Sequence, residues 1–217
     1  MISKPIVRLA QALLFSAAAH AQAVQQNPRD TWNKVYTDNK ESKLAYSEFL
    51  AEVVKERKPG KALDIGIGEG RNSLFLAAKG WDVTGFDISE VGVRQARERA
   101  QHAGLTLNAL VDDVDRFDYG RDRWDLVVGM YEHEMITRNA DKIRASLKPG
   151  GLIIVEGVHR DAKQKGVEGG YYGYGPNELL QVFDRLRVLR YEEAVAVMYW
   201  NPNGRSIPIV RFVAVRQ

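Results

Sequence analysis

The chain has 217 residues, of which 45% are hydrophobic and 27% charged, and its formal net charge is +3. A chain of this length and composition can bury one substantial core, so we expect a single domain. The mild charge, spread along the sequence, argues against nucleic acid as the main partner, and the absence of cysteine excludes a structural disulfide, a thiolate metal site and a cysteine nucleophile.

The N-terminal residues have the pattern of a signal peptide. A basic start is followed by a mostly apolar run at residues 9–19, and a small-x-small cleavage pattern ends at Ala23. The run is too short to cross a membrane as a helix, so no stable membrane span is expected. We expect residues 1–23 to be a signal peptide of a periplasmic or secreted protein. The alternative is an N-terminal helix that covers the active site of a cytoplasmic enzyme, and in both cases residues 24–217 form the single domain.

Two helices are predicted before the first strand. Trp32 and Tyr36 are four residues apart, which places both on one helical face, a spacing that packing residues commonly show. A second helix is predicted over residues 41–58, with Tyr46 and Phe49 on its apolar stripe and Pro59 just after its end.

The stretch that follows has the order strand, glycine-rich turn, helix. A short apolar run contains Asp64 near its end, and glycines then occupy alternate positions at Gly66, Gly68 and Gly70 before a helical pattern that Gly80 closes. This order is the first half of a nucleotide-binding βαβ unit. Glycines let the chain bend sharply and let a ligand lie against backbone N–H groups.

Details of this turn favour a cationic ligand over a dinucleotide. The third glycine comes one residue earlier than a G-x-G-x-x-G fingerprint requires, and Arg71 takes its place. Asp64 is poorly suited to a pyrophosphate but suits a ligand that carries an ammonium and a sulfonium. Asp87 ends the second predicted strand, where a carboxylate can accept hydrogen bonds from both ribose hydroxyls.

The rest of the chain alternates helical and strand patterns. The predicted helices lie at residues 89–102, 139–147 and 176–183. The predicted strands lie at residues 82–87, 105–110, 124–130, 152–155, 188–199 and 207–215, the last two joined as a hairpin by the turn at residues 201–204.

The Asp-x-Gly-x-Gly-x-Gly pattern at residues 64–70 resembles the first motif of class I S-adenosylmethionine-dependent methyltransferases. Its continuation to residue 77 is similar to the small tellurite-resistance and thiopurine-type branch, and the Leu-Lys-Pro-Gly-Gly run at residues 147–151 is a further feature of that family. The resemblance extends from Trp32 to the C-terminus. It implies an α/β, Rossmann-like fold with a seven-stranded, mostly parallel sheet, helices on both faces and a C-terminal antiparallel hairpin. It also implies methyl transfer from S-adenosylmethionine to a small-molecule acceptor.

The same resemblance implies roles for individual residues. The three glycines would approach the methionine portion of the cofactor, with Asp64 near its cationic groups. Asp87 would hold the ribose, and the adenine would lie against Asp113, with Asp112 the alternative. The other cofactor-binding candidates are Ile88, Val114 and Met130.

Two aromatic groups are candidates for contact with the substrate. Trp32 and Tyr36 would, by resemblance, fold over the methionine end of the cofactor; the alternative is that they only pack. A glycine-rich segment that carries Tyr171, Tyr172 and Tyr174 suits a mobile lid, although an ordinary surface loop has the same composition.

The chemistry asks for alignment and, with some acceptors, a base. Methyl transfer from a sulfonium is an in-line displacement, so a neutral hydroxyl or an ammonium acceptor needs a base, whereas a soft anion needs only positioning. His133, which follows the fourth strand, is the candidate base or else a wall of the pocket, and His159 is held in reserve. Glu132 and Glu134 flank His133, but adjacent side chains point apart, so no metal site is predicted.

Two other functions stay open at this stage. One is a catalytically inactive cofactor-binding protein of the same fold, and the other is a nicotinamide-dependent oxidoreductase, which Asp64 and the early third glycine disfavour. The identity of the acceptor and the oligomeric state cannot be read from the sequence.

Overall fold

The computed structural model describes residues 27–38, 45–165, 173–197 and 206–217. Three of the sequence predictions therefore lie outside the described residues: the signal segment at residues 1–23, the tyrosines Tyr171 and Tyr172, and the hairpin turn at residues 201–204.

The described chain folds into seven strands, seven α-helices and one 3₁₀ helix. The strands are β1 (Lys61–Ile65), β2 (Asp82–Asp87), β3 (Asn108–Val111), β4 (Trp124–Met130), β5 (Leu147–Val158), β6 (Arg187–Val197) and β7 (Ser206–Val215). The α-helices are α1 (Pro28–Asp38), α2 (Glu48–Val54), α3 (Arg71–Ala78), α4 (Glu90–His102), α5 (His133–Arg138), α6 (Ala140–Ser146) and α7 (Glu178–Val182), and the 3₁₀ helix is Arg160–Lys165.

The strands form one sheet in the order β3-β2-β1-β4-β5-β7-β6. The first five strands run parallel, whereas β7 is antiparallel to both β5 and β6. This arrangement confirms the predicted fold, including the C-terminal antiparallel pair. The carboxyl ends of β1, β2 and β4 lie side by side at the centre of the sheet, where ligands of open α/β sheets bind.

Two hydrophobic cores cover the two faces of the sheet, because the central parallel strands are apolar on both sides. One face of the sheet packs against α5, α6 and α7, through buried residues such as Ile136, Ile143 and Leu179. The other face packs against α2 and α3, through buried residues such as Leu50 and Leu76. Helices on both faces thus hold the carboxyl ends of the strands in place.

Several predicted boundaries were wrong, and local hydrogen bonds explain why. The helix predicted over residues 41–58 is confined, among the described residues, to α2, because the Ser47 hydroxyl accepts from the Leu50 N–H and caps the helix there. Tyr46, placed on its buried stripe, is 44% exposed. The third strand begins at Asn108 because the Leu105 N–H still bonds to the Ala100 carbonyl at the end of α4.

The elements near β5 also differ from the prediction. β5 begins at Leu147 and includes the glycine turn, because Leu147 pairs with Trp124 before the register shifts. It continues to Val158, past the predicted end at residue 155. Helix α5 was not predicted, and the helix expected over residues 176–183 is the shorter α7.

A buried ion pair joins β5 to β7. Glu156, which is 2% exposed, accepts hydrogen bonds from the Tyr131 hydroxyl (3.0 Å) and from Nε of Arg211 (2.7 Å). The Arg211 guanidinium lies over the Phe49 ring, 5.1 Å from its centroid. Glu156 therefore has a structural role: it holds β5 and β7 together.

Removal of one partner of this pair should destabilise the protein strongly. Arg211→Met leaves a buried carboxylate without its counter-ion, and we expect a loss of about 3–5 kcal/mol in the free energy of unfolding. Urea denaturation followed by circular dichroism measures the loss. The double variant Glu156→Leu/Arg211→Met should recover most of it. Arg94→Met, which breaks the exposed Arg94–Glu98 pair, is the control and should cost under about 1 kcal/mol.

Candidate functional site

The glycine turn after β1 has a backbone that other residues adopt poorly. Gly66, Gly68 and Gly70 have φ values of 70°, 52° and 88°, all in the left-handed region. The N–H groups of Gly66 and Ile67 both donate to the Phe86 carbonyl at 3.0 Å, which ties the turn to β2. The bend is thus fixed by the sheet itself.

Side chains from other parts of the chain lie directly against two of the three glycines. A Cβ at Gly66 would lie 2.4 Å from Oε1 of Glu132, and one at Gly68 would lie 2.5 Å from the Tyr36 hydroxyl. A Cβ at Gly70 would instead lie 2.9 Å from the Cβ of Ala96 in α4, so that glycine serves helix packing. We name the space over Gly66 and Gly68 the glycine notch.

Three carboxylates surround the glycine notch. Asp64 is 3% exposed, and its Oδ2 accepts from the Ser73 hydroxyl at 2.7 Å. Asp87 is 8% exposed and accepts from the N–H groups of Gly68 (2.9 Å) and Ser89 (2.8 Å). Glu132 completes the set through its position against Gly66. The notch therefore has an acidic lining.

Burial of these carboxylates disfavours their ionised forms. Burial raises the pKa of Asp64 to about 6, with a further contribution from Asp87, although the Ser73 hydroxyl and Arg71 oppose the shift. Burial also raises the pKa of Asp87, and it raises that of Glu132 well above the ordinary value with added repulsion from Asp87 and Asp64. A cation in the notch would relieve both the burial cost and the repulsion.

Helix α1 closes one side of the glycine notch. Asn33 Oδ1 accepts from the Ser89 hydroxyl (2.7 Å) and the Val91 N–H (3.2 Å), and the Gln95 side chain donates to the Tyr36 carbonyl (3.0 Å). Burial raises the pKa of Tyr36, with further contributions from Asp87, Glu132 and Glu69 that Arg71 opposes. The Tyr36 hydroxyl thus faces the acidic lining.

The predicted pair Trp32 and Tyr36 divides between two surroundings. The two rings stack with centroids 5.8 Å apart, but Trp32 is 41% exposed on the outer side of α1. Tyr36 is the member that reaches the glycine notch, so the structure brings only one of the two to the candidate site.

The residues expected near the adenine lie beside β2. The Asp112 N–H donates to the Asp87 carbonyl at 3.0 Å, and Asp113 Oδ1 accepts from the Asp115 N–H at 2.8 Å. Ile88 is half-buried and follows Asp87 directly, whereas Val114 is buried in the core. These positions form the wall of the carboxyl edge next to the ribose candidate, and their contacts with the cofactor stay predictions.

The segment after β4 distributes its side chains in different directions. Met130 is buried at the end of the strand, and Tyr131 has a φ of 68°, which turns the chain sharply. Glu132 then lies against Gly66, the His133 ring faces Glu178, and Glu134 is exposed. Among the described residues, no group of three His, Asp or Glu side chains is arranged to hold a metal ion. The absence of a metal site stays a prediction.

Tyr174 is not an exposed lid residue, contrary to the expectation for its segment. It is fully buried, its ring lies over Gly157, and its backbone bridges to His159. Burial raises its pKa, with further contributions from Glu132 and Glu178, so its hydroxyl lies near both carboxylates. A contact with the substrate from this buried position stays a prediction.

His159, the reserve base, is 3% exposed at the end of β5. Its Nδ1 accepts from the Asp161 N–H at 3.2 Å, and its Nε2 lies 3.8 Å from a Glu193 carboxylate oxygen. The structure therefore groups His159 with Tyr174 and β6, whereas Glu132, next to His133, lies against the glycine notch.

The sequence missed three residues that the structure places at the notch. Glu132 was considered only as a metal ligand, Arg71 only as a departure from the glycine pattern, and Asn33 not at all. An acid directly after β4 is a signal that could have found Glu132. No local signal marks Asn33, because its partners in α4 are more than fifty residues away.

No helix in the described residues is long and apolar enough to cross a membrane. Residues 62–151 match the family model of the methyltransferase domain.

Two relatives and one solved structure extend this match. Hemagglutinin 1 of Eikenella corrodens is 26% identical over 186 residues, 83% of this chain and 61% of that protein. The probable S-adenosyl-L-methionine-dependent methyltransferase TehB of Haemophilus influenzae is 24% identical over 179 residues, 79% of this chain and 62% of that protein. The crystal structure of TehB from Haemophilus influenzae has a TM-score of 0.68 at 18% identity, covering 86% of this chain and 67% of that one. The chain spans about three fifths of the length of the two relatives.

These matches confirm the predicted class. The chain carries a class I S-adenosylmethionine-dependent methyltransferase domain, and its cofactor is S-adenosylmethionine. The notch fits the cationic groups of this cofactor, because the buried carboxylates that line it favour a cation.

The first test of the notch compares two glycines with similar backbones. Gly66 and Gly104 have φ values of 70° and 65°, but a Cβ at Gly104 meets nothing within 4 Å. Gly104→Ala should cost about 1–2 kcal/mol of stability because it puts a Cβ on a left-handed residue, and Gly66→Ala should cost more because its Cβ also meets Glu132. Only Gly66→Ala should also weaken S-adenosylmethionine binding, by at least about tenfold in calorimetry. Equal affinities in the two folded variants would remove Gly66 from the cofactor site.

The second test concerns the buried Asp64. Its folded pKa of about 6 exceeds the ordinary 3.8, so the folded state holds the proton more tightly and Asp64 contributes most stability at low pH. That contribution should be lost as the pH rises from about 4 to above 6, a change on the order of 3 kcal/mol. We expect Asp64→Asn, which keeps an acceptor for Ser73, to gain stability relative to the wild type over this range. Urea unfolding at several pH values measures the difference, and a constant difference would contradict the account.

Proposed function

We propose that the protein transfers a methyl group from S-adenosylmethionine to a small-molecule acceptor. The observation that carries this proposal is the arrangement around Glu132. Its carboxylate lies against Gly66, and the adjacent His133 bonds to the half-buried Glu178 and packs against the buried Tyr174 ring. The wall next to the reacting groups is therefore made of buried or half-buried side chains, which suits a compact acceptor.

Different residues would bind different parts of the cofactor. Asp64 and Glu132 supply negative charge where the cationic groups of the cofactor would bind, and Asp87 supplies acceptors for the ribose. Tyr36 and α1 cover the notch and keep water from it. When bound, S-adenosylmethionine supplies an electrophilic methyl group on a sulfonium. The contribution of the chain is to hold the acceptor in line with that group.

The similarity to TehB, a probable S-adenosyl-L-methionine-dependent methyltransferase, supports the reaction type. Fold alone does not determine the acceptor, since one architecture serves O-, N- and S-methylation. The acidic lining and the neighbouring His133 instead favour acceptors that lose a proton during methyl transfer.

The test has a binding arm and a turnover arm. Calorimetry should show that S-adenosylmethionine and S-adenosylhomocysteine bind and that NAD does not. A panel of small phenols, amines and thiols, followed by mass spectrometry, should then show S-adenosylhomocysteine formation that depends on at least one acceptor. Binding of the cofactor without turnover on any acceptor would favour an inactive cofactor-binding protein, and binding of NAD alone would overturn the proposal.

A further inference from the structure

The candidate base His133 is held by a carboxylate from another part of the chain. Its Nε2 lies 2.9 Å from Oε1 of Glu178, the first residue of α7. The other carboxylate oxygen of Glu178 accepts from the Gly175 N–H at 2.6 Å and from Arg160 at 3.3 Å. Two partners besides the imidazole thus fix Glu178 in place.

The charge state of Glu178 determines the proton on the imidazole. Burial alone would raise the pKa of Glu178, but the Gly175 N–H, His133 and Arg160 outweigh burial and hold it below its ordinary value. A carboxylate that is ionised at neutral pH accepts a hydrogen bond and cannot donate one. In the neutral imidazole the proton therefore lies on Nε2, and Nδ1 keeps a free lone pair.

The second ring nitrogen of His133, Nδ1, has no hydrogen-bond partner among the described residues. This nitrogen is buried, and the buried hydroxyl of Tyr174 also lacks a partner within the described part of the chain. The two rings pack edge to face, with centroids 4.6 Å apart and planes at 86°. Buried polar atoms normally have hydrogen-bond partners. Two such atoms without partners on neighbouring rings therefore indicate a place where a polar ligand group binds.

We propose that Glu178 is a positioning residue that fixes His133 in the Nε2–H tautomer, so that Nδ1 takes the proton of a neutral protic acceptor, a hydroxyl or an amine. This inference rests on the proposed function and narrows its acceptor class. The Tyr174 hydroxyl, which also lacks a partner among the described residues, is a second group available to a polar ligand.

The proposed step balances in protons and charge. The acceptor O–H or N–H proton moves to His133 Nδ1 as the acceptor atom bonds to the methyl carbon, and the C–S bond breaks with its electrons left on sulfur. The imidazolium that forms then lies against the Glu178 carboxylate, which stabilises it. Release of that proton to water returns the neutral tautomer.

The charged and titratable groups around His133 come from several parts of the chain. Glu178 of α7 bonds to it, and Arg160 of the 3₁₀ helix bonds to Glu178. Tyr174 packs on the ring, and Glu132 precedes it in the chain and lies near Tyr174.

The first experiment reads the tautomer directly and needs no acceptor. The chain has four histidines, so ¹⁵N-histidine labelling gives a spectrum that His133→Gln assigns by subtraction. At neutral pH the wild-type His133 should carry its proton on Nε2. In Glu178→Ala, His133 should become a mixture of the two tautomers. Glu134→Gln changes an exposed residue on α5, the helix of His133, and should leave the tautomer unchanged. A wild-type Nδ1–H tautomer, or no shift in Glu178→Ala, would overturn the proposal.

The second experiment separates positioning from packing. On a phenol or amine acceptor, Glu178→Gln should lower kcat by about 10²-fold and leave the affinity for S-adenosylmethionine unchanged, and Glu178→Asp should restore part of the rate. On a thiol acceptor that ionises at neutral pH, the same variant should retain most of its kcat. An equal loss on both acceptors would overturn the positioning role. If the wild type turned over no acceptor at all, the proposed function would fail, while the tautomer measurement would still decide the role of Glu178.

Discussion

The site depends on the burial of three carboxylates around one glycine turn. Asp64, Asp87 and Glu132 come from the ends of β1 and β2 and from the residues after β4. Burial raises the pKa of each of them, so their ionised forms are costly in the free protein. A cationic ligand offsets that cost and therefore binds more tightly. The same carboxylates disfavour a dinucleotide, because its anionic phosphates would add to the repulsion.

The fold brings these carboxylates together through the parallel sheet. The central order β2-β1-β4 puts the three carboxyl ends side by side, although β4 follows β1 in the chain by about sixty residues. Helix α1 then closes the site through polar bonds to α4, and none of its residues is fully buried. An element held in this way can open at a small free-energy cost, which suits the entry of a cofactor.

Local signals in the sequence were sufficient for much of the fold. Strands β1, β2 and β4 were predicted because their apolar runs end in turn residues, and the glycine spacing indicated the ligand class. Asp64 and Asp87 were found because a motif marks their positions. Helix α5 was missed because it has only six residues and follows a strand directly, so no helical period develops.

Contacts between distant residues could not be predicted in the same way. Glu178 meets His133 across 45 positions, and nothing in either segment announces the other. Tyr174 looked like part of a glycine-rich surface loop, yet it packs in the core because Gly157 leaves space for its ring. Such roles are decided by tertiary packing, which a single sequence does not display.

The central claim is that buried carboxylates recognise a cationic cofactor, and proton release on binding tests it most directly. Calorimetric titration with S-adenosylmethionine at pH 6, repeated in buffers of different ionisation enthalpy, counts the protons released. Asp64, whose pKa is about 6, should give up about half a proton as the cation binds, and Asp64→Asn should release fewer protons than the wild type. A binding enthalpy that is the same in every buffer at this pH would contradict the account.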